Sequence, residues 1–176
     1  MRSSRARSAS VLATAVACLW GCGYALVGTG RGILPENVKT VYVASFVNET
    51  ARVGLEQRLT ESVLRELSAR SRLKPVSDKD KADSELTATL ASYQVDPVRF
   101  DGAGRVVEYQ ISVVAKVKLV ERASDKALFE EGGFLYRQPY VIGATSASYL
   151  DVENGAVEAL ARPFARSLVS TLLEGF

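Results

Sequence analysis

Histidine is absent from this 176-residue chain, which has only two cysteines, one methionine and one tryptophan. Without an imidazole there is no Ser-His-Asp or Cys-His catalysis, no histidine-ligated haem and no mixed Cys/His zinc site. No G-x-x-x-x-G-K-[ST] loop occurs. The alternating Gly28, Gly30 and Gly32 lack the preceding strand and following helix that a dinucleotide-binding turn needs. Adjacent acids at Glu130 and Glu131 would face opposite sides of a strand. A hydrolase built on carboxylates alone needs two facing acids about 5 to 9.5 Å apart, and nothing in the sequence sets up such a pair. These absences argue against an enzyme, a metal and any cofactor.

Both cysteines fall within "VACLWGCGYALVGTG", residues 16–30. The chain opens with Arg2, Arg5 and Arg7, no acid, and an apolar run over residues 9–19. A bilayer-spanning helix needs about 20 apolar residues, so this run is too short to serve as a permanent anchor and reads as a secretory signal. Leu19-Trp20-Gly21-Cys22 resembles a bacterial lipobox, departing from it at Trp20, where a small residue is usual. The resemblance implies that residues 1–21 are removed, that Cys22 carries a diacylglycerol and that the new amino terminus is acylated. Each buried methylene contributes about 0.8 kcal/mol, so two or three chains make a stable anchor. Gly23 follows the cysteine, where an aspartate would signal retention at the inner membrane. The resemblance to that sorting pattern therefore implies the periplasmic face of the outer membrane as the address. A Cys18–Cys22 disulfide and lipidation at Cys18 after Ala15-Val16-Ala17 remain open alternatives. Loss of three arginines with the leader takes the formal charge from +2 to about −1, so basicity gives no reason to expect nucleic acid.

Residues 22–37 hold several glycines and Pro35 and read as a lipidated flexible tether. One domain over residues 38–176 follows. Residues 39–46 read as a strand, and "NETARVG" (48–54) as a turn entering a helix. The Asn48-Glu49-Thr50 sequon is read as turn and capping chemistry. "LEQRLTESVLRELSAR" places Leu55, Leu59, Val63 and Leu67 on one helical stripe, with Glu56, Arg58, Glu61 and Arg65 opposite. Alternation then marks two strands. Leu86, Ala88 and Leu90 share a face in the first; Val107, Tyr109, Ile111, Val113, Ala115, Val117 and Leu119 share one in the second. "RASDKA" closes a hairpin into a further strand over residues 128–136, where Gly132-Gly133 suggests a bulge. A loop over 138–148 and a capping-box-like Ser148-x-x-Asp151 precede a last helix with Val157, Leu160, Phe164, Leu168 and Leu172 on one stripe. Pro163 inside that helix should kink it or cost about 3 kcal/mol. The expected fold is α+β, a two-layer sandwich in the order β-α-β-β-β-α. It has about four mainly antiparallel strands, with both amphipathic helices on one face.

These elements, in this order, resemble the LPS-assembly lipoprotein family (LptE). The resemblance runs through "LWGCGYALVG", "LPENVKTVYVASFVNET", "GLEQRLTESVLREL", "DKADSELTATLASY", "GRVVEYQISVVAKVKL" and the closing "LLEGF". It implies an LptD-like outer-membrane β-barrel partner that inserts lipopolysaccharide into the outer leaflet, with the lipoprotein plugging that barrel and assisting its assembly. It also implies lipopolysaccharide as a ligand. In that family, basic residues before the "EYQ" strand are linked to the ligand's phosphates. Here that places Arg99 and Arg105 of "PVRFDGAGRVVEYQ" as ligand-binding candidates, the alternative being ordinary solvated loop charge. The guanidinium fork offers charge and paired donors to a phosphate. Two other classes stay in view: an outer-membrane lipoprotein acting as a periplasmic chaperone or envelope subunit, and the carboxylate-only hydrolase.

Overall fold

The computed structural model describes residues 34–70, 72–141 and 149–174, with side chains of the last segment described from residue 154. The signal segment, Cys22, most of the tether and Ser148 of the expected capping box lie outside the described residues. The elements are β1 (Thr40–Val43), β2 (Val47–Asn48), α1 (Leu55–Arg70), β3 (Lys74–Val76), a 3₁₀ turn (Lys79–Lys81), β4 (Ser84–Phe100), β5 (Val106–Glu121), β6 (Lys126–Val141) and α2 (Tyr149–Glu174).

The α+β expectation holds, but the sheet is larger than the four strands expected. It has six, in the order β3-β1-β4-β5-β6, with β2 also pairing with β4. Nor is it antiparallel throughout: β1 runs parallel to both β3 and β4, and β2 parallel to β4. The reason lies in the connection. A helix between two strands carries the chain back to its starting end, so the next strand enters in the same direction. Beyond β4 the strands are joined by tight turns and pair antiparallel.

Both helices bury their stripes in one core. Leu55, Leu59, Val63 and Leu67 of α1, and Leu160, Phe164, Leu168 and Leu172 of α2, are sealed from solvent against Val41, Leu86, Leu90, Ile111, Val113 and Leu119 of the sheet. Phe164 stands edge-on to Phe134 (5.6 Å) and Tyr136 (6.0 Å) of β6, fixing α2 to the outer strand through quadrupole-favoured geometry. The helix continues through Pro163 as one element, although the proline leaves the Ala159 carbonyl without its usual donor. Leu34, in the segment read as tether, is already buried in this core.

The helices also run parallel to each other. Arg58 pairs with Glu158 and Arg166 with Glu66, so an eight-residue advance along one helix matches the same advance along the other. Topology explains this. β1 and β6 point the same way, through the chain of parallel and antiparallel pairings, and each is followed by a helix that returns.

Local chemistry sets the junctions. Before α1, the Asn48 carboxamide donates to the Arg52 carbonyl (2.7 Å) and Glu56 Oε2 (2.7 Å), while its oxygen accepts from the Thr50 amide and hydroxyl. The amide is thus consumed in ordering the helix entry. Gly132-Gly133 forms the bulge, because Ala115 pairs with Phe134 and Val117 with Glu131, leaving two glycines opposite one residue. At the sheet's start, Asp83 Oδ2 accepts from the amides of Lys39 and Thr40 (both 2.9 Å) and from the Thr40 hydroxyl (2.8 Å). These bonds, first among them that from the Lys39 amide, hold its carboxyl below the usual aspartate range.

Two outcomes are expected. Asp83→Ala should cost about 2 kcal/mol, since three bonds worth roughly 1 kcal/mol each are lost with some recovery by water. Folding favours the ionised carboxylate, so its stabilisation is complete above the unfolded value near pH 4 and fades as pH falls through the lower folded value. Thermal melts between pH 7 and 2 should show a shallower acid limb for Asp83→Asn than for the native chain. The second concerns Gly155 in α2. Glycine to alanine in a helix normally gains about 1 kcal/mol, but a Cβ here would strike the Tyr140 hydroxyl and lie 3.0 Å from its ring carbon. Gly155→Ala should therefore lower the melting temperature, and adding Tyr140→Phe should restore part of the loss.

Candidate functional site

The sequence singled out the turn between β4 and β5. The structure makes it the tip of a long hairpin rather than an extended loop. β4 continues to Phe100, so Arg99 is a strand residue, and the turn proper spans only 101–105. Asp101 organises it. Its Oδ1 accepts from the amides of Ala103 and Arg105 (2.9 Å each), while Gly104 takes a positive φ of 77° that closes the turn. The Arg105 amide, the Arg105 guanidinium and the Ala103 amide hold the Asp101 carboxyl below its ordinary range.

Each candidate arginine already has a carboxylate partner. Arg99 Nε donates to Glu108 Oε2 and Arg105 Nε to Asp101 Oδ2, both at 2.8 Å. These are the short distances of charge-assisted bonds. In both, only Nε is engaged, and no bond from the terminal nitrogens is present among the described residues. The side chains remain 58% and 81% exposed. The hairpin pairing sets Arg99 opposite Glu108 and Phe100 opposite Val106, bringing the two arginines to one end of the sheet. Val98 and Phe100 are half exposed beside them. The tip therefore joins apolar surface to two anchored cations. Single exposed hydrophobic residues are common; two of them on the same strand end as a paired arginine are what distinguish this end.

The other sequence candidates have plain structural roles. Glu130 pairs with Lys118 at 3.4 Å, and Glu131 accepts from the Gly133 amide at 3.1 Å, one serving the open face and the other the bulge. Arg137 lies on β6 opposite Ser112, away from the tip's ion pairs; the loop following β6 is outside the described residues. No group of three metal-ligating side chains occurs among the described residues, and none of their helices is long and apolar enough to cross a membrane. What sequence reading missed is a recess between the two helices, lined by Arg58, Arg65 and Arg162. Heptad-like spacing marks Arg58 and Arg65 as solvent-facing, but only the packing of α2 against α1 brings Arg162 to them.

One solved structure shares the architecture. A Xanthomonas campestris protein superposes with a TM-score of 0.53 at 15% identity, over 78% of this chain and 86% of its own. Lipoprotein B from Nitrosomonas europaea matches with a TM-score of 0.46 at 15% identity, over 78% and 84%. A minor lipoprotein from Acinetobacter baumannii does so at 0.47 and 10%, over 78% and 92%. At these identities the first likeness establishes fold alone. No curated protein matches the chain. The lipopolysaccharide-assembly (LptE) family profile, however, matches residues 38–172, nearly the whole folded body and every element described above. The chain belongs to the LptE lipopolysaccharide-assembly family.

Proposed function

We propose that this protein is a non-enzymatic outer-membrane lipoprotein, anchored through Cys22 after removal of residues 1–21. In this reading it plugs an LptD-like β-barrel that inserts lipopolysaccharide into the outer leaflet, and it assists that barrel's assembly. Lipopolysaccharide binds at the hairpin tip through Arg99 and Arg105. The observation that carries this reading is the family match over residues 38–172. Three physical features support it. The lipobox-like Leu19-Trp20-Gly21-Cys22 supplies the anchor. The sheet face turned away from the helices carries Thr87, Thr89, Lys116, Lys118 and Glu130, a polar surface suited to a polar barrel lumen. The tip offers terminal guanidinium nitrogens next to Phe100 and Val98, and a phosphorylated glycolipid presents the complementary mixture of anion and hydrocarbon.

Cys22→Ala should abolish lipidation and leave the leader uncut, so immunoblots show a larger species that is no longer membrane-bound; normal mature size would remove the anchor from the scheme. Arg99→Glu with Arg105→Glu should weaken lipopolysaccharide binding by an order of magnitude or more, two charge-assisted contacts being lost and repulsion added. The melting temperature should fall by only a few degrees, because both arginine side chains are largely exposed. Equal binding by mutant and native protein in a pull-down would return both arginines to ordinary surface charge. Gentle detergent extraction followed by affinity purification tests the partner: recovery without any large β-barrel protein counts against the plug.

A further inference from the structure

We infer that the groove between α1 and α2 is an anion site that takes a phosphate group, held by Arg58, Arg65 and Arg162. The groove encloses about 480 Å³ and is lined from α1 by Arg58, Ser62, Arg65, Glu66 and Ala69, and from α2 by Glu158, Ala161 and Arg162. Its position is separate from the hairpin tip, and the inference does not depend on that site.

Convergence follows from the parallel register. Glu158 lies beside Arg58 and Arg166 beside Glu66, which sets Arg162 level with Ser62. Arg58 and Arg65 are seven residues apart, about 10.5 Å along the helix axis, and Ser62 lies between them. Arg58, Arg65 and Arg162 thus line one groove from two helices. The buried residues of the lining, Ser62 and Ala161, are small, which is what leaves room there, and so is Ala69 at the exposed edge.

The charges are arranged so that donors remain available. Glu66, only 8% exposed, also lines the groove; Arg70 Nε at 2.8 Å and Arg166 Nε at 3.9 Å offset its charge from outside the three rim arginines, although its Oε1 has no well-aligned hydrogen bond. The rim pairs are loose: Arg58–Glu158 is 3.6 Å and Arg65–Glu61 is 3.7 Å. A charge-assisted bond is closer to 2.8 Å, and exposed pairs of this length are weak and screened by salt. Arg162 makes no ion pair or hydrogen bond among the described residues. Ser62 accepts a bond from Arg65 at 2.9 Å, and no acceptor for its own hydroxyl proton is present among the described residues. A doubly charged phosphate would gain three guanidinium groups and a hydroxyl donor while displacing only weak partners. The tip arginines, with 2.8 Å bonds already formed, start from the opposite condition.

The test uses the full mature protein in nonionic micelles, with ¹⁵N-labelled arginine side chains. Inorganic phosphate and pyrophosphate are titrated first, then micelles doped with phosphatidic acid, and polyglutamate serves as the carboxylate control. The expected result is saturable shifts of the Arg58, Arg65 and Arg162 Nε–H signals. Arg162→Gln should weaken binding about tenfold without altering the melting temperature, because the side chain holds nothing in the fold. Binding of the soluble anions and binding of the lipid phosphate alone both support the site and tell its two sources apart. No saturation with either phosphate source, unchanged affinity in Arg162→Gln, or preference for polyglutamate over phosphate would overturn it.

Discussion

Two amphipathic helices share one face of one sheet, and most other features follow from that constraint. Each carries about four fully buried large side chains, and each such side chain contributes on the order of 1.5–3 kcal/mol when withdrawn from water. Neither stripe has anywhere else to go. Because β1 and β6 run in the same direction, the helices return in the same direction and lie side by side. Their common seam is apolar where it meets the sheet and charged where it meets solvent, so the arginine-lined groove is a by-product of the same packing that seals the core.

The constraint also leaves the opposite face of the sheet uncovered. Thr87, Thr89, Lys116 and Lys118 alternate there with the buried residues of β4 and β5, the pattern of a sheet wetted on one side. Lys116 reaches Glu49 and Lys118 reaches Glu130 across that face. The result is a body with a bare polar face, a charged helical face and a long hairpin extending past the helices. Membership of a lipopolysaccharide-assembly family fits such a body.

Legibility tracked periodicity. The stripes of α1 and α2 and the long alternation of β5 could be read directly, because each repeats its period several times. β4 could be read only as far as Leu90. There the register with β5 shifts between Leu90 and Ser92, so Ala91 is an extra residue and the inward series resumes at Tyr93 and Val95 in the opposite phase. The strand expected over residues 39–46 is β1, with Val41 and Val43 buried; β2 and β3, of two and three residues, are too brief for any period to register, and the parallel pairing of all three depends on the crossover helix. Pro97, Gly102 and Gly104 signalled a loop around Arg99. The strand nonetheless continues to Phe100, absorbing Val98 as a further irregularity between Pro97 and Arg99. Nothing along the sequence marks Arg162, because its neighbours belong to another helix, and no one-dimensional pattern encodes how two helices align.

β6 is sixteen residues long and, among the described residues, forms one border of the sheet. An unbroken border of that length is a template on which any passing strand can zip. This one is interrupted three times, the first at Leu128, which is extra between the Leu119–Phe129 and Val120–Ala127 pairs. Gly132 and Gly133 throw the ladder out of step, and Pro139 lacks an amide hydrogen altogether. Continuous hydrogen-bonded runs are thereby cut to a few residues. A protein with such a margin can be held close to other β-structure as a separate body, without being annealed into it as one more strand.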